Sequence, residues 1–176
     1  MPNWCSNHVY IVVKNDIASK SFIEKLTEAH DAGTLNKFLI KTNNSREDNI
    51  DKWGTKWDID PTHQDFSYEN NGSTIDCNLS YRTAWSPNVP ATNILYKRLK
   101  ELDPDATMEH YYDEPGCAFY GISDGETDNA YEMDVIWSIK EEACEHLRLK
   151  RKENNNIYVH DICYQMLIAL SSKAYN

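Results

Sequence analysis

The chain has 176 residues, with 40% hydrophobic and 26% charged side chains and a formal net charge of −10. That length suits one domain or one domain with an appendage, and it buries roughly 70% of its unfolded surface without help from a metal or disulfide. Scarce glycine argues against a Gly-rich phosphate loop, no apolar run approaches the ~20 residues of a membrane span, and no basic-then-apolar leader opens the chain, so a cytoplasmic location is the expectation.

Residues 7–13, Asn-His-Val-Tyr-Ile-Val-Val, are rich in β-branched and aromatic types and predict a first strand. Asn15-Asp16 offers a helix N-cap, Ile17, Phe22, Ile23 and Leu26 follow at helical spacing, and Gly33 supplies a stop. Leu35, Phe38, Leu39 and Ile40 form a short apolar patch without clear periodicity, and the polar stretch 41–52 reads as a loop leading into Trp53. Residues 65–69 and 74–81 alternate in character, and Asn70-Asn71-Gly72 between them predicts a hairpin. Ser86-Pro87 ends the second of these strands. A helix over 90–102 presents Ile94, Leu95, Leu99 and Leu102, and Asp103-Pro104 closes it. Residues 107–112 and 117–122 predict another strand pair across Glu114-Pro115-Gly116, with more strand near 131–133. Two further helices are predicted over 135–152 and 157–173, separated by Asn154-Asn155-Asn156.

This order, β-α-β-β-α-β-β, predicts an α+β fold: an antiparallel sheet with helices on one face. A ferredoxin-like core over residues 1–133 is the nearest common arrangement, with residues 134–176 as a C-terminal helical extension.

Charge is unevenly spread. Residues 1–133 hold 22 acidic against 12 basic side chains, whereas 134–176 hold 6 of each. Between Glu101 and Ile139 there are eleven carboxylates and no Lys or Arg. A direct nucleic-acid binder needs a basic face to neutralise phosphates, so no nucleic-acid partner is expected, and a basic host protein fits the sign better. The five cysteines are odd in number and contain no Cys-x-x-Cys, which predicts reduced thiols packed as small hydrophobes.

Four segments carry most of the chain's tryptophan: Met1-Pro2-Asn3-Trp4-Cys5-Ser6-Asn7, Trp53-Gly54-Thr55-Lys56-Trp57-Asp58, Thr83-Ala84-Trp85-Ser86-Pro87 and Tyr112-Asp113-Glu114-Pro115-Gly116. In these motifs the chain resembles the ferredoxin-like family of unknown function typified by the plasmid protein YubB and related phage proteins. The resemblance spans about residues 1–133 and implies a ferredoxin-like fold and a phage or plasmid origin. It implies no catalytic residue, because that family brings no established chemistry. Asn88 stands where a second proline is common in the family, a departure that affects only the turn.

Trp53, Thr55, Lys56, Trp57 and Asp58 combine indole planes, a cation and a carboxylate. A base could stack on indole, Lys56 meet a phosphate and Asp58 accept from ring donors. Thr83, Trp85, Ser86, Glu114 and Gly116, at strand ends and turns, would complete the pocket. The plain structural alternative makes the tryptophans caps of the sheet end, Lys56–Asp58 a local ion pair and Glu114-Pro115-Gly116 an ordinary turn.

No catalytic arrangement or metal motif stands out. His146 follows Glu142 and Glu145 without a His-x-x-x-His partner, His110 has Glu109 and Asp113 nearby in sequence, and Asp124, Glu126 and Asp128 share the alternation of a calcium loop without its full pattern. The expectation is a non-catalytic phage or plasmid accessory protein, without a cofactor, that counteracts a host system by binding a nucleotide-like ligand or a basic host protein. The alternatives are an enzyme using Asp58, Glu114 or His110 on a nucleotide or small polar metabolite, and an RNA-binding sheet.

Overall fold

The computed structural model describes residues 3–114, 116–117 and 119–132. The chain divides into two compact units, Met1–Ala130 and Tyr131–Asn176. The two C-terminal helices predicted from sequence lie outside the described residues.

The elements run β1 (Trp4–Lys14), α1 (Ile17–Asp31), α2 (Leu35–Leu39), α3 (Arg46–Trp53), β2 (Asp65–Asn71), β3 (Thr74–Ala84), α4 (Val89–Leu102), β4 (Thr107–Glu114), β5 (Phe119–Ser123) and β6 (Asp128–Glu132). They build an α+β fold around one open six-stranded antiparallel sheet of order β2-β3-β1-β4-β5-β6.

β1 is central, pairing with β3 on one side and β4 on the other. Its alternation is strict: Cys5, Asn7, Val9, Ile11 and Val13 are buried, and the residues between them are partly exposed. The buried row meets Ile75, Cys77, Leu79 and Tyr81 of β3 and Met108 of β4, and the helices close over it with Ile23, Leu26, Leu35, Leu39, Leu95 and Leu99. The helices thus lie on the sheet face carrying the odd-numbered residues of β1, because only that face offers a continuous apolar surface to bury.

Local signals account for the element ends. Asp16 caps α1 through the Ser19 N–H at 2.8 Å. Asp103, buried after α4, accepts from the Lys14 and Asp105 N–H groups and ties the helix exit to the end of β1. Ile17 is 89% exposed and contributes nothing to the core. Its side chain starts the outer face of α1, and Ser19 takes the buried place in the first turn.

Two helices go beyond the sequence reading. The patch at 35–40 is α2, and the stretch read as a loop contains α3. Ser45 caps α3 through the Asp48 N–H at 3.1 Å, Glu47 and Asp48 occupy its first turn, and Lys52 its last. Gly54 ends it in the left-handed conformation at φ 83°. The polar composition that suggested a loop is that of a short helix whose inward groups are few: Asn49 and Trp53.

Gly54 is hemmed in as well as left-handed. A Cβ there would sit 2.6 Å from Pro90 Cδ and 2.9 Å from the Pro87 carbonyl oxygen. Gly54→Ala is expected to destabilise the protein by about 1–3 kcal/mol, whereas Gly72→Ala, with no heavy atom within 4 Å, should cost less. Urea denaturation of the two variants measures the difference.

Candidate functional site

Asn7 is the centre of the site region. It stands in the core-facing row of β1 and is fully buried. Its amide nitrogen donates to Thr83 Oγ1 at 2.9 Å and to the Cys5 carbonyl at 3.0 Å. Its Oδ1 lies 3.0 Å from His110 Nε2, and His110 Nδ1 lies 2.9 Å from Thr92 Oγ1. Since Asn7 Oδ1 can only accept, His110 carries its proton on Nε2 and Nδ1 accepts from Thr92. Burial holds His110 neutral, with its pKa pushed down from 6.5 to about 3. The neighbouring carboxylates are not its partners: Glu109 accepts from the Tyr111 hydroxyl at 2.6 Å.

From Thr83 the chain of bonds continues outward. Thr83 Oγ1 donates to the Ser86 carbonyl at 2.7 Å, and Ser86 Oγ donates to the Gly54 carbonyl at 2.6 Å. Thr55 Oγ1 donates to the Ala84 carbonyl at 3.0 Å. The Trp85 N–H donates to the Asn3 carbonyl at 2.9 Å. Glu114, buried at the end of β4, accepts from the backbone N–H groups of Gly116 and Cys117. A Cβ on Gly116 would lie 2.6 Å from Asn3 Nδ2, so a side chain there would require Asn3 and Glu114 to shift. The four sequence segments therefore do converge at one end of the sheet.

Their side chains divide into two groups. Thr55, Thr83, Ser86, Glu114 and Gly116 are committed to the turns that join the segments. Asp58 is committed as well, accepting from the N–H groups of Asn36 (2.7 Å), Lys37 (3.0 Å) and Ile59 (3.0 Å), so it caps α2 from outside the helix. Burial raises its pKa, opposed by those three backbone bonds. It makes no ion pair with Lys56. Trp53 is 3% exposed and donates its indole N–H to the Ile40 carbonyl at 2.8 Å, apart from the exposed tryptophans.

What remains outward is Trp57, 53% exposed, Trp85, 39% exposed, and Lys56, whose Nζ lies 4.4 Å from the Trp85 ring centroid. Trp85 has φ 74°, a left-handed conformation that is a genuine outlier for so bulky a residue. The bonds from Thr83, Ser86 and Asn3 on either side hold it there.

Several described carboxylates of the acidic run are committed within the fold. Asp103 and Glu114 are buried, and Asp128 accepts from the Tyr112 hydroxyl at 2.6 Å. Asp124 Oδ1 accepts from the Glu126 and Thr127 N–H groups, which makes the 124–128 segment a hydrogen-bonded turn. Among the described residues no cluster of His, Cys, Asp and Glu has the arrangement of a metal site. Cys5 and Cys77 are buried free thiols, with burial pushing Cys77 up to about 12 and Cys5 higher still. No described helix is long and apolar enough to cross a membrane. His146 lies outside the described residues.

Comparison with known proteins gives no match: no family model, no curated protein and no solved structure is similar enough to place the chain.

The buried imidazole sets an acid limit on stability. The unfolded chain takes up this proton near pH 6.5 and the folded chain only near 3. Between those values the unfolded state binds more protons, so stability falls as pH drops, by up to ~1.4 kcal/mol per pH unit from this group. Urea denaturation from pH 7 to pH 4 should show that slope, reduced in His110→Asn.

Proposed function

We propose that the protein is a non-catalytic binding module that offers an exposed tryptophan surface, Trp85 and Trp57 with Lys56, to a flat, nucleotide-like ligand. The observation that carries this reading is the left-handed Trp85. A large side chain at positive φ costs on the order of 1–2 kcal/mol, which glycine would avoid. The surrounding bonds maintain this cost while leaving the indole 39% exposed to solvent. Strain held by a rigid frame around an accessible aromatic is the arrangement of a ligand platform, in which bases stack on indole and a nearby ammonium meets the phosphate.

The same frame argues against the catalytic alternative built on Asp58, Glu114 and His110. The two carboxylates are spent on backbone N–H groups, and His110 is enclosed between Asn7 and Thr92. Docking on a basic host protein has less to rest on than the small ligand, because Glu101 and Glu126 share a cleft with Lys97 and Lys100. In this reading the fold is ferredoxin-like, supported by the order β2-β3-β1-β4 with α1 and α4 as crossovers, and β5 and β6 extend it. The tryptophan segments support membership of the YubB-type family and the role of a phage or plasmid accessory protein acting on a host system in the host cytoplasm.

Titration with a panel of nucleotides should quench tryptophan fluorescence. Trp57→Ala should weaken binding by about 1–3 kcal/mol without loss of stability, given its exposure. Trp85→Ala and Trp85→Gly should both abolish binding, and the glycine variant should be the more stable of the two by about 1 kcal/mol. A panel that gives neither quench nor calorimetric heat overturns the proposal.

A further inference from the structure

The sheet face turned away from α1, α2 and α4 holds a cleft that the tryptophan segments leave unused. It has a volume of about 390 Å³, and its walls include Ser6, His8, Ser80, Arg82, His63 and Asp65. The strand register explains the grouping. Ser6 of β1 stands opposite Arg82 of β3, His8 opposite Ser80, and Ser80 opposite Asp65 of β2. His63 comes from the loop before β2, held by Asp60 Oδ2 3.1 Å from its Nδ1.

Arg82 is the decisive residue. The other half-buried cations among the described residues are satisfied: Lys52 by Asp48, Lys56 by the Trp85 ring, Arg98 by the Phe38 and Leu39 carbonyls, and Lys100 by the Pro104 carbonyl. Arg82 is half-buried as a residue, and its guanidinium has no hydrogen-bond or ion-pair partner among the described residues. In a chain with ten more negative than positive side chains, a partly desolvated guanidinium left unpaired is an exception. Its planar fork of donors matches the oxygens of a phosphoryl or carboxylate group.

The rest of the wall favours phosphoryl. Ser80 Oγ lies 2.9 Å from His8 Nδ1. With Nδ1–H donating to Ser80 Oγ, the serine hydroxyl proton is released for a ligand oxygen. Ser6 adds a second hydroxyl, while His63, whose Nδ1–H donates to Asp60, turns Nε2 as an acceptor towards the organic part. The guanidinium fork and two hydroxyls, spread over two strands, suit a tetrahedral group with three terminal oxygens better than a planar one with two. The volume lies within the range of small-molecule sites and leaves room for an organic part. Asp65 offers an acceptor for a hydroxyl of that part, and its charge disfavours a second phosphate.

We propose that this cleft binds a phosphate monoester, with Arg82, Ser80 and Ser6 as donors to the phosphoryl oxygens and His63 and Asp65 as acceptors beside the organic part. The test is titration of the full chain with ribose 5-phosphate, followed by calorimetry and by 31P line broadening, with acetate and inorganic phosphate run in parallel. Saturable binding of ribose 5-phosphate is expected, tighter than that of inorganic phosphate and much tighter than that of acetate. Arg82→Gln should weaken it at least about tenfold, since a charge-assisted pair is lost, and Arg82→Lys should recover part of the loss. Ser6→Glu places a carboxylate opposite the guanidinium and should abolish binding even if Arg82→Gln folds poorly. Trp85→Ala should leave it unchanged, which separates this site from the tryptophan surface. Absence of saturable binding, binding indifferent to Arg82→Gln and Ser6→Glu, or equal affinity for acetate overturns the proposal.

Discussion

The end of the sheet where the four segments meet depends on one buried amide. Asn7 interrupts the apolar row of β1 and must find partners for a carbonyl and an NH₂ group where water does not reach. It finds them on both neighbouring strands: Thr83 on β3 and His110 on β4. His110 passes the constraint to Thr92 on α4, and Thr83 passes it through Ser86 to Gly54 at the end of α3. Every one of these bonds is directional, so together they specify the angle of the 85–88 turn in a way apolar packing alone would not. A second chain of buried groups runs beside the first, from the Tyr81 hydroxyl to Asn88 (2.9 Å), from Asn88 to Asn36 (2.6 Å), and from the Asn36 N–H to Asp58. α2 and α4 are thereby joined to the same strand ends.

The strain at Trp85 follows from this frame. With the Trp85 N–H bound to Asn3 and the carbonyl of Ser86 bound to Thr83, the chain has little choice of path between β3 and α4. The cost of a left-handed tryptophan is set against several satisfied backbone groups, and the indole stays at the surface beneath Lys56. Polar residues that look like ligand-contacting groups in the sequence, Thr55, Asp58, Thr83, Ser86 and Glu114, are the ones that build this frame. The sheet's other face works on a different principle: its polar side chains gather by strand register alone, and Arg82 is left without a partner among them.

The sequence by itself determined much of the scaffold. The β-branched and aromatic content of β1, the alternation in β3, the Asn70-Asn71-Gly72 hairpin, the Asp16 cap and the apolar stripe of α4 are local signals, each complete within a dozen residues, and each placed its element. The alternation that puts Asn7 between Cys5 and Val9 on the core face emerged with the structure. Short-range capping signs for α3 were present too, in Ser45, Glu47 and Gly54, but were masked by the polar composition between them. The choice of the four segments, three of them built around tryptophan, as one neighbourhood was likewise readable, because all of them flank strand ends.

Only the tertiary structure decided what those residues do. Whether Asp58 meets a ligand or caps a helix depends on where α2 lies, 22 residues back in the chain. His110 became a neutral core group rather than a partner of Glu109 because its side of β4 faces Asn7 and Thr92, and burial favours the uncharged imidazole. The burial of Trp53 against the exposure of Trp57 and Trp85, the left-handed turn at Trp85, and the meeting of Arg82 with Ser6, His8, Ser80 and His63 all rest on contacts between distant segments. Pattern reports which face a residue occupies, but partners are set by register and packing, and it is the partner that decides whether a polar group is spent on the fold or left for a ligand.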